Sequence, residues 1–186
     1  MRQKTPILSD IRKKPLKSRG FTIVELLIVI VIIAILASIT IVAYNGIQER
    51  ARDAQRLQDV KKIETALRIF LVNSSTGTLP APTSVNGSWE QSNEDNPGDF
   101  IESLVSSGTI SKVPIDPVNS SSMHYRYYRY NAGDYGCDIT KGAFGILQAV
   151  DMQTSGRPHP QSPGFSCSGR NWGSEADYTI GIYINE

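Results

Sequence analysis

Glu25 occupies the position in this sequence that most demands a chemical explanation. It stands five residues into a run in which 20 of the 24 residues from Phe21 to Tyr44 are apolar, and no further charge occurs from Leu26 to Gln48. A carboxylate there is costly unless it meets a partner or performs a task. Just before it come Gly20 and Phe21, preceded by a basic stretch that includes Lys13, Lys14, Lys17 and Arg19. Cys137 and Cys167 are the only two cysteines, a pair that suggests a disulfide if this part of the chain lies in an oxidising compartment. Tyr125-Arg126-Tyr127-Tyr128-Arg129-Tyr130 interleaves cations with rings, an arrangement that can stack bases and hold phosphates. Arg126, Arg129, Tyr127 and Tyr128 are therefore candidate contacts to nucleic acid or another surface. The same pattern suits a half-buried strand whose rings pack while its Arg stems snorkel.

Other candidates carry weaker signals. His124 and His159 lack ligand spacing towards the cysteines, so no metal site is expected. There is no serine elbow and no Gly-rich phosphate loop, and neither an enzyme nor a cofactor is predicted. Asn73, Asn86 and Asn119 each open an Asn-x-Ser pattern, which arises easily in Ser-rich loops.

The elements that must position these residues are uneven in charge and apolarity. The 186 residues sum to a net charge of +1. Residues 1–20, however, carry seven basic side chains against Asp10 alone, so residues 21–186 sum to −5. That negative sum opposes a broad nucleic-acid surface. A helix from Phe21 to Ala43 would be ~35 Å long, enough to cross a hydrocarbon core of ~30 Å. β-Branched residues dominate it, but in lipid the backbone must satisfy itself, so the run reads as helix. The basic flank should remain cytoplasmic and place the rest of the chain outside. A cleavable secretory signal and a plain single-pass anchor compete with this reading. The first usually has an apolar region of only ~7–15 residues, and neither accounts for Glu25.

The string Lys17-Ser18-Arg19-Gly20-Phe21-Thr22-Ile23-Val24-Glu25-Leu26 resembles the class III signal of type IV prepilins, in which a basic leader ends in Gly and is followed by Phe and, four residues on, Glu. The resemblance extends over residues 17–50. It implies cleavage after Gly20 by a membrane-embedded prepilin peptidase, methylation of the new amine on Phe21, and a role in subunit assembly for Glu25. It also implies a homopolymer with minor pilins, an assembly ATPase and a membrane platform protein. Many pilins carry a kinking Pro in the second half of this helix. Here Val42 and Gly46 stand in that neighbourhood.

Beyond the membrane segment, Ile47, Ala51, Ala54, Leu57, Val60, Ile63, Leu67 and Phe70 recur at helical spacing, with a favourable Glu64–Arg68 pair. One helix is predicted from Phe21 to about Val72, with residues 21–46 in the membrane or a filament core and residues 47–72 amphipathic. Asn73 to Gly77 should stop it. Residues 73–186 then form a head: a loop region over 73–122 with a short helix from Asp99 to Val105, and strands over Met123–Tyr130, Ala143–Asp151 and Asp177–Ile184. The expected fold is α+β, with the long helix packed on a small antiparallel sheet. The Pro114-Ile115-Asp116-Pro117 turn before a Tyr-rich strand also resembles secretion pseudopilins, some of which bind calcium in a nearby loop. That resemblance makes Asp116, Asp134 and Asp138 conceivable oxygen ligands, but nothing has the ligand density of a calcium loop, and all three read as turn residues. A Cys137–Cys167 bridge would staple the Thr154–Gly173 stretch to the sheet, as the family often closes its carboxyl-terminal loop.

Three functions follow as expectations. The first is a structural subunit of a type IV pilus, serving adhesion, twitching motility or DNA uptake. The second is a pseudopilin of a type II secretion or competence system. The third, of another class, is an anchored extracytoplasmic binding module. The precursor would lie in the cytoplasmic membrane and the assembled subunit in an extracellular filament.

Overall fold

The computed structural model describes residues 20–83, 88–94 and 100–185; the basic leader to Arg19, Asn86 and Asp99 lie outside the described residues. The chain divides into two units, Met1–Ala43 and Tyr44–Glu186. One helix, α1, runs Ile23–Asn73 through the boundary.

In the first unit the α1 side chains are exposed throughout the described positions, with a mean hydropathy of 3.3 over an 18-residue window. By length and composition this segment can cross a membrane. Its few hydroxyls are satisfied locally: Ser38 donates to the carbonyl of Ile35 at 2.8 Å and Thr40 to that of Leu36 at 2.7 Å. Such back-bonding allows Ser and Thr to reside in an apolar helix.

In the second unit, α1 packs on a four-stranded antiparallel sheet, so the observed fold is α+β. The strands are β1 (Glu90–Gln91), β2 (Tyr125–Tyr130), β3 (Phe144–Ala149) and, last in the chain, β6 (Tyr178–Tyr183), in the order β1-β2-β3-β6. A short helix α2 (Glu102–Ser106) lies between β1 and β2, and a small hairpin of β4 (Ser166–Cys167) and β5 (Arg170–Asn171) precedes β6. The register pairs Tyr127 with Leu147 and Leu147 with Ile180, which puts alternate residues on one face. That face buries Tyr125, Tyr127, Leu147, Ala149, Ile180 and Ile182 in one core with Val60, Ile63, Ala66 and Leu67 of α1. The opposite face carries Tyr130, Phe144 and Ile146 under Trp172 and Phe165. All six residues of β3 are consequently buried. Gly181 lies under the Phe165 ring so closely that a Cβ there would collide with it.

The three long strands fall within the predicted stretches, shortened by one or two residues at most ends. Two elements were not foreseen. β1 has only two residues, and the β4–β5 hairpin lies inside the Thr154–Gly173 stretch, where no strand is predicted. Neither is long enough to show an alternating pattern. Helix α2 begins at Glu102 after Ile101, whose φ of 48° places it in the left-handed region.

The predicted apolar stripe on α1 needs correction at its start. Val60, Ile63 and Leu67 are buried, but Ile47 is 65% exposed and Ala51 and Ala54 are also exposed. The face that meets the sheet continues instead through Arg56 and Asp53, two charged residues that periodicity counts as surface. Arg56 is fully buried; its Nε donates to Asp116 Oδ2 at 2.6 Å, its Nη2 to Asp116 Oδ1 at 3.0 Å and its Nη1 to Asp53 Oδ1 at 2.7 Å. Asp53 also accepts the backbone N–H groups of Gln153 and Thr154, and Asp116 those of Val118 and Asn119. The charges thus join three segments of chain, which offsets their desolvation.

This network and its neighbours set the acid response. Burial alone would raise the Asp53 pKa, yet hydrogen bonds from Thr154, Gln153 and Arg56 hold it below the ordinary 3.8. Burial likewise opposes ionisation of Glu64, but Lys61 at 2.9 Å and Arg68 at 3.0 Å hold it below 4.5. Burial pushes His124 below its ordinary 6.5, against the pull of the Ser120 carbonyl. Each folded value is depressed, so each group contributes stability that is present above its unfolded pKa and lost as pH falls through the folded value. Asp59, raised by burial, works the other way and offsets part of the loss. The melting temperature should therefore fall on acidification, beginning below the ordinary His value of 6.5 and steepening below the carboxylate values of 4.5 and 3.8. A melting temperature constant from about pH 7 to about pH 3 would contradict this assignment.

Candidate assembly site and head surface

Gly20 and Phe21 precede α1 outside any regular element, and Phe21 is 90% exposed. A Cβ on Gly20 would meet nothing within 4 Å, so the position is sterically open in the chain itself. The helix begins after Thr22, and here the structure reveals a feature that the sequence reading had passed over. Thr22 Oγ1 accepts the N–H of Glu25 at 3.2 Å, while Glu25 Oε2 accepts the Thr22 N–H and the Thr22 hydroxyl, both at 2.8 Å. Thr22-Ile23-Val24-Glu25 is a capping box, in which residues three apart satisfy each other's orphan donors. Its Thr-x-x-Glu signature was legible; the apolar context drew attention to the charge instead.

In the head, the interleaved Arg and Tyr residues divide between the two sheet faces. Tyr127 is fully buried towards α1, with its hydroxyl donating to the Pro80 carbonyl at 2.9 Å. Arg129 donates to the Leu79 carbonyl at 2.8 Å. On the other face Arg126 Nε donates to Gln148 Oε1 at 2.7 Å, and its guanidinium lies 4.5 Å from the Trp89 ring centroid and 3.7 Å from Glu175. Tyr128 is half-buried, with its ring 4.7 Å from that of Tyr130. The structure therefore does not gather the four residues on one surface.

The candidate calcium ligands are also separated in their duties. Asp116 holds Arg56, Asp134 accepts the N–H of Asn131 at 2.9 Å, and Asp138 accepts that of Thr140 at 2.9 Å. Among the described residues no group of three or more His, Cys, Asp or Glu side chains is placed to hold a metal ion.

Cys137 and Cys167 form a disulfide with a Cα separation of 5.0 Å, 30 positions apart in sequence. It ties the turn after β2 to β4; Cys137 belongs to the core cluster that holds Phe144 and Trp172, and Cys167 packs against that cluster. By loop-closure entropy such a bridge stabilises the fold by roughly 3–4 kcal/mol. The Cys137→Ser, Cys167→Ser double variant should lose about that much by urea titration. An unchanged midpoint would show that the surrounding core holds the loop unaided.

Residues 15–41 match the family model for the prokaryotic N-terminal methylation motif. The chain is similar to the type II secretion system core protein G of Klebsiella pneumoniae, with 27% identity over 137 residues that make up 73% of this chain and 91% of the relative. The corresponding protein of Escherichia coli (strain K12) is 28% identical over 120 residues, 64% and 77% of the two chains. The type IV major pilin protein PilE1 of Neisseria gonorrhoeae is 26% identical over 103 residues, 51% and 62%. No solved structure matches the chain significantly. Signal, apolar helix and fold thus converge: residues 15–41 carry the prokaryotic N-terminal methylation motif, and the chain is similar to the type II secretion system core proteins G and to a type IV major pilin.

Proposed function

We propose that this chain is a filament subunit of the pseudopilin kind, made as a membrane-anchored precursor and polymerised through its apolar helix. One observation carries the reading. The apolar part of α1 has its described side chains exposed, while its first turn holds the lone carboxylate of Glu25. Such a surface needs lipid before assembly and neighbouring subunits after it. In this reading residues 1–20 are a leader removed by prepilin peptidase after Gly20. Phe21 becomes the methylated amino terminus, residues 21–46 form the filament core, residues 47–72 the amphipathic half of the helix, and residues 73–186 the outer head. Glu25 pairs with the amine of Phe21 in its own or an adjacent subunit. Lys13, Lys14, Lys17 and Arg19 keep the leader cytoplasmic and the head outside. An assembly ATPase and a membrane platform protein drive polymerisation.

The secretion filament is favoured over the pilus because the similarity to core protein G reaches 73% of this chain, against 51% for the type IV major pilin. Shearing cells and weighing the released polymer separates the readings, because a pilus yields abundant long filaments and a secretion filament does not. Either way, mass spectrometry of the mature chain should find N-methyl-Phe at position 21. Gly20→Asp should leave the precursor uncut, and because position 20 is sterically open, this loss would reflect peptidase recognition and not misfolding. A normal mature terminus from that variant would overturn the cleavage assignment. An intact Met1 in the parent would support the anchored binding module instead.

A further inference from the structure

Tyr135 combines two properties that seldom occur together. Its φ of 53° and ψ of 26° lie in the left-handed region, which a bulky side chain rarely adopts. Its ring is nevertheless 46% exposed, so burial alone does not account for the conformation. The surroundings over-determine it. The Tyr135 carbonyl accepts the N–H of Gly169 at 2.8 Å, and a Cβ on Gly169 would come within 2.9 Å of that oxygen. Two residues later the chain is tied down by the Cys137–Cys167 bridge. The ring stands edge-on to Tyr130 at 5.6 Å and to Trp172 at 5.4 Å, with the Arg170 guanidinium 5.1 Å from its centre. Strained residues held this firmly gather where a ligand must be met by a preformed surface.

The held ring forms one wall of a cleft. Trp89, Tyr128, Tyr130 and Tyr135 line a space of about 190 Å³, continuous in its lining with a second of about 330 Å³ that adds Arg129, Asn131 and Asp134. Trp89 stands 6.0 Å from Tyr128, tilted, and 6.3 Å from Tyr130, edge-on. Rings arranged in this way, edged by a few polar groups, are the usual lining of a small-molecule site.

The charges select the ligand class. Arg126 lies over Trp89, Arg170 lies over Tyr135, and both guanidinium groups are matched by Glu175. A cationic ligand would find the ring faces already occupied by cations. A polyanion would find Arg126 and Arg170 already matched by Glu175, and Arg129, which donates to the Leu79 carbonyl, shares the lining of the larger space with Asp134, so the cleft offers no net positive surface. What remains is aromatic surface bordered by tyrosine hydroxyls, the Asn131 amide and the opposed charges of Arg129 and Asp134. That chemistry suits a ring with apolar C–H faces and hydroxyl edges. We propose that the cleft between Trp89, Tyr128 and Tyr135 binds a neutral oligosaccharide on the outer face of the head. The proposal is independent of filament assembly, and its failure would leave the processing experiment untouched.

The test uses the full chain in a zwitterionic, sugar-free detergent. The probes are neutral trisaccharides of glucose, galactose and N-acetylglucosamine, set against choline, a proline-rich peptide and a thymidine oligonucleotide. Binding is read by saturation-transfer NMR in all cases and by tryptophan fluorescence in the parent, where Trp89 is half-buried and Trp172 fully buried. At least one trisaccharide should bind saturably at millimolar concentration. Trp89→Ala and Tyr135→Gly should each weaken it at least about tenfold, or about 1.4 kcal/mol, and Tyr135→Phe should retain it. Gly accepts the left-handed φ, so Tyr135→Gly removes the ring without imposing new backbone strain. Failure of every trisaccharide to bind, affinity unchanged in both ring-deletion variants, or binding of only choline, peptide or oligonucleotide would each overturn the proposal.

Discussion

Arg56→Met is expected to remove roughly 3–5 kcal/mol from the stability of the head, the usual penalty when one partner of a buried ion pair is deleted. The replacement is close to Arg in length and keeps helix propensity, so the loss would report the missing charge. With Arg56 gone, Asp116 and Asp53, 3% and 5% exposed, would be left as buried carboxylates without their cation. Each would still accept backbone N–H groups, Val118 and Asn119 for one, Gln153 and Thr154 for the other. Those bonds also prevent simple rescue. Making all three positions apolar often restores stability in buried ion networks, but here it would orphan four backbone donors that the carboxylates now satisfy. The triple variant should therefore remain less stable than the parent. Urea unfolding of the full chain checks both results, and the single variant should move the midpoint down by more than about 1 M. A midpoint within error of the parent would mean that the network orders the turn at Asp116 without stabilising the fold.

The same network shows where sequence reasoning stops. From Val60 to Leu67 the helix face is apolar at three- and four-residue steps, and the buried set there coincides with the pattern. Nearer the apolar segment the pattern points to Ile47, Ala51 and Ala54, yet the buried face continues through Asp53 and Arg56. Periodicity counts a charged residue as outward, and it has no means of knowing that Asp116, 60 positions away, will meet Arg56. The long strands were legible because Tyr, Ile and Val cluster between Gly, Asn and Asp. β1, β4 and β5 were not, because two residues carry no alternation and their pairing depends on the long strands and the disulfide.

The Tyr-Arg run was legible as a strand but not as two surfaces. Alternation places Tyr125, Tyr127 and Arg129 together and Arg126, Tyr128 and Tyr130 together, as the register shows. A reading by composition merges them into one basic, aromatic patch. Trp89 and Tyr135, which complete the outer cleft, come from loops whose approach to that strand depends on tertiary contacts. Only the glycines on either side of Tyr135, at 133 and 136, hinted at an unusual backbone.

Glu25→Gln is expected to reduce filament assembly steeply while leaving the helix start intact, and it separates two roles that the structure superimposes on one side chain. As a member of the capping box, Glu25 needs only an acceptor oxygen for the Thr22 N–H and hydroxyl, and Gln supplies one. As the proposed partner of the Phe21 amine it needs a negative charge, which Gln lacks. If packing of the subunits encloses that pair, losing its charge should weaken subunit addition on the order of 100-fold or more. Thr22→Ala makes the opposite cut, since it keeps the carboxylate and removes the hydroxyl that accepts the Glu25 N–H. Its effect should be only the ~0.5–2 kcal/mol of a lost cap, spread over a helix otherwise held by neighbours in the filament. Sedimentation of sheared or overproduced filaments should therefore find polymer for Thr22→Ala and almost none for Glu25→Gln, with both precursors cut after Gly20. If Glu25→Gln polymerises like the parent while Thr22→Ala does not, the carboxylate is a cap and the register of the filament is set elsewhere.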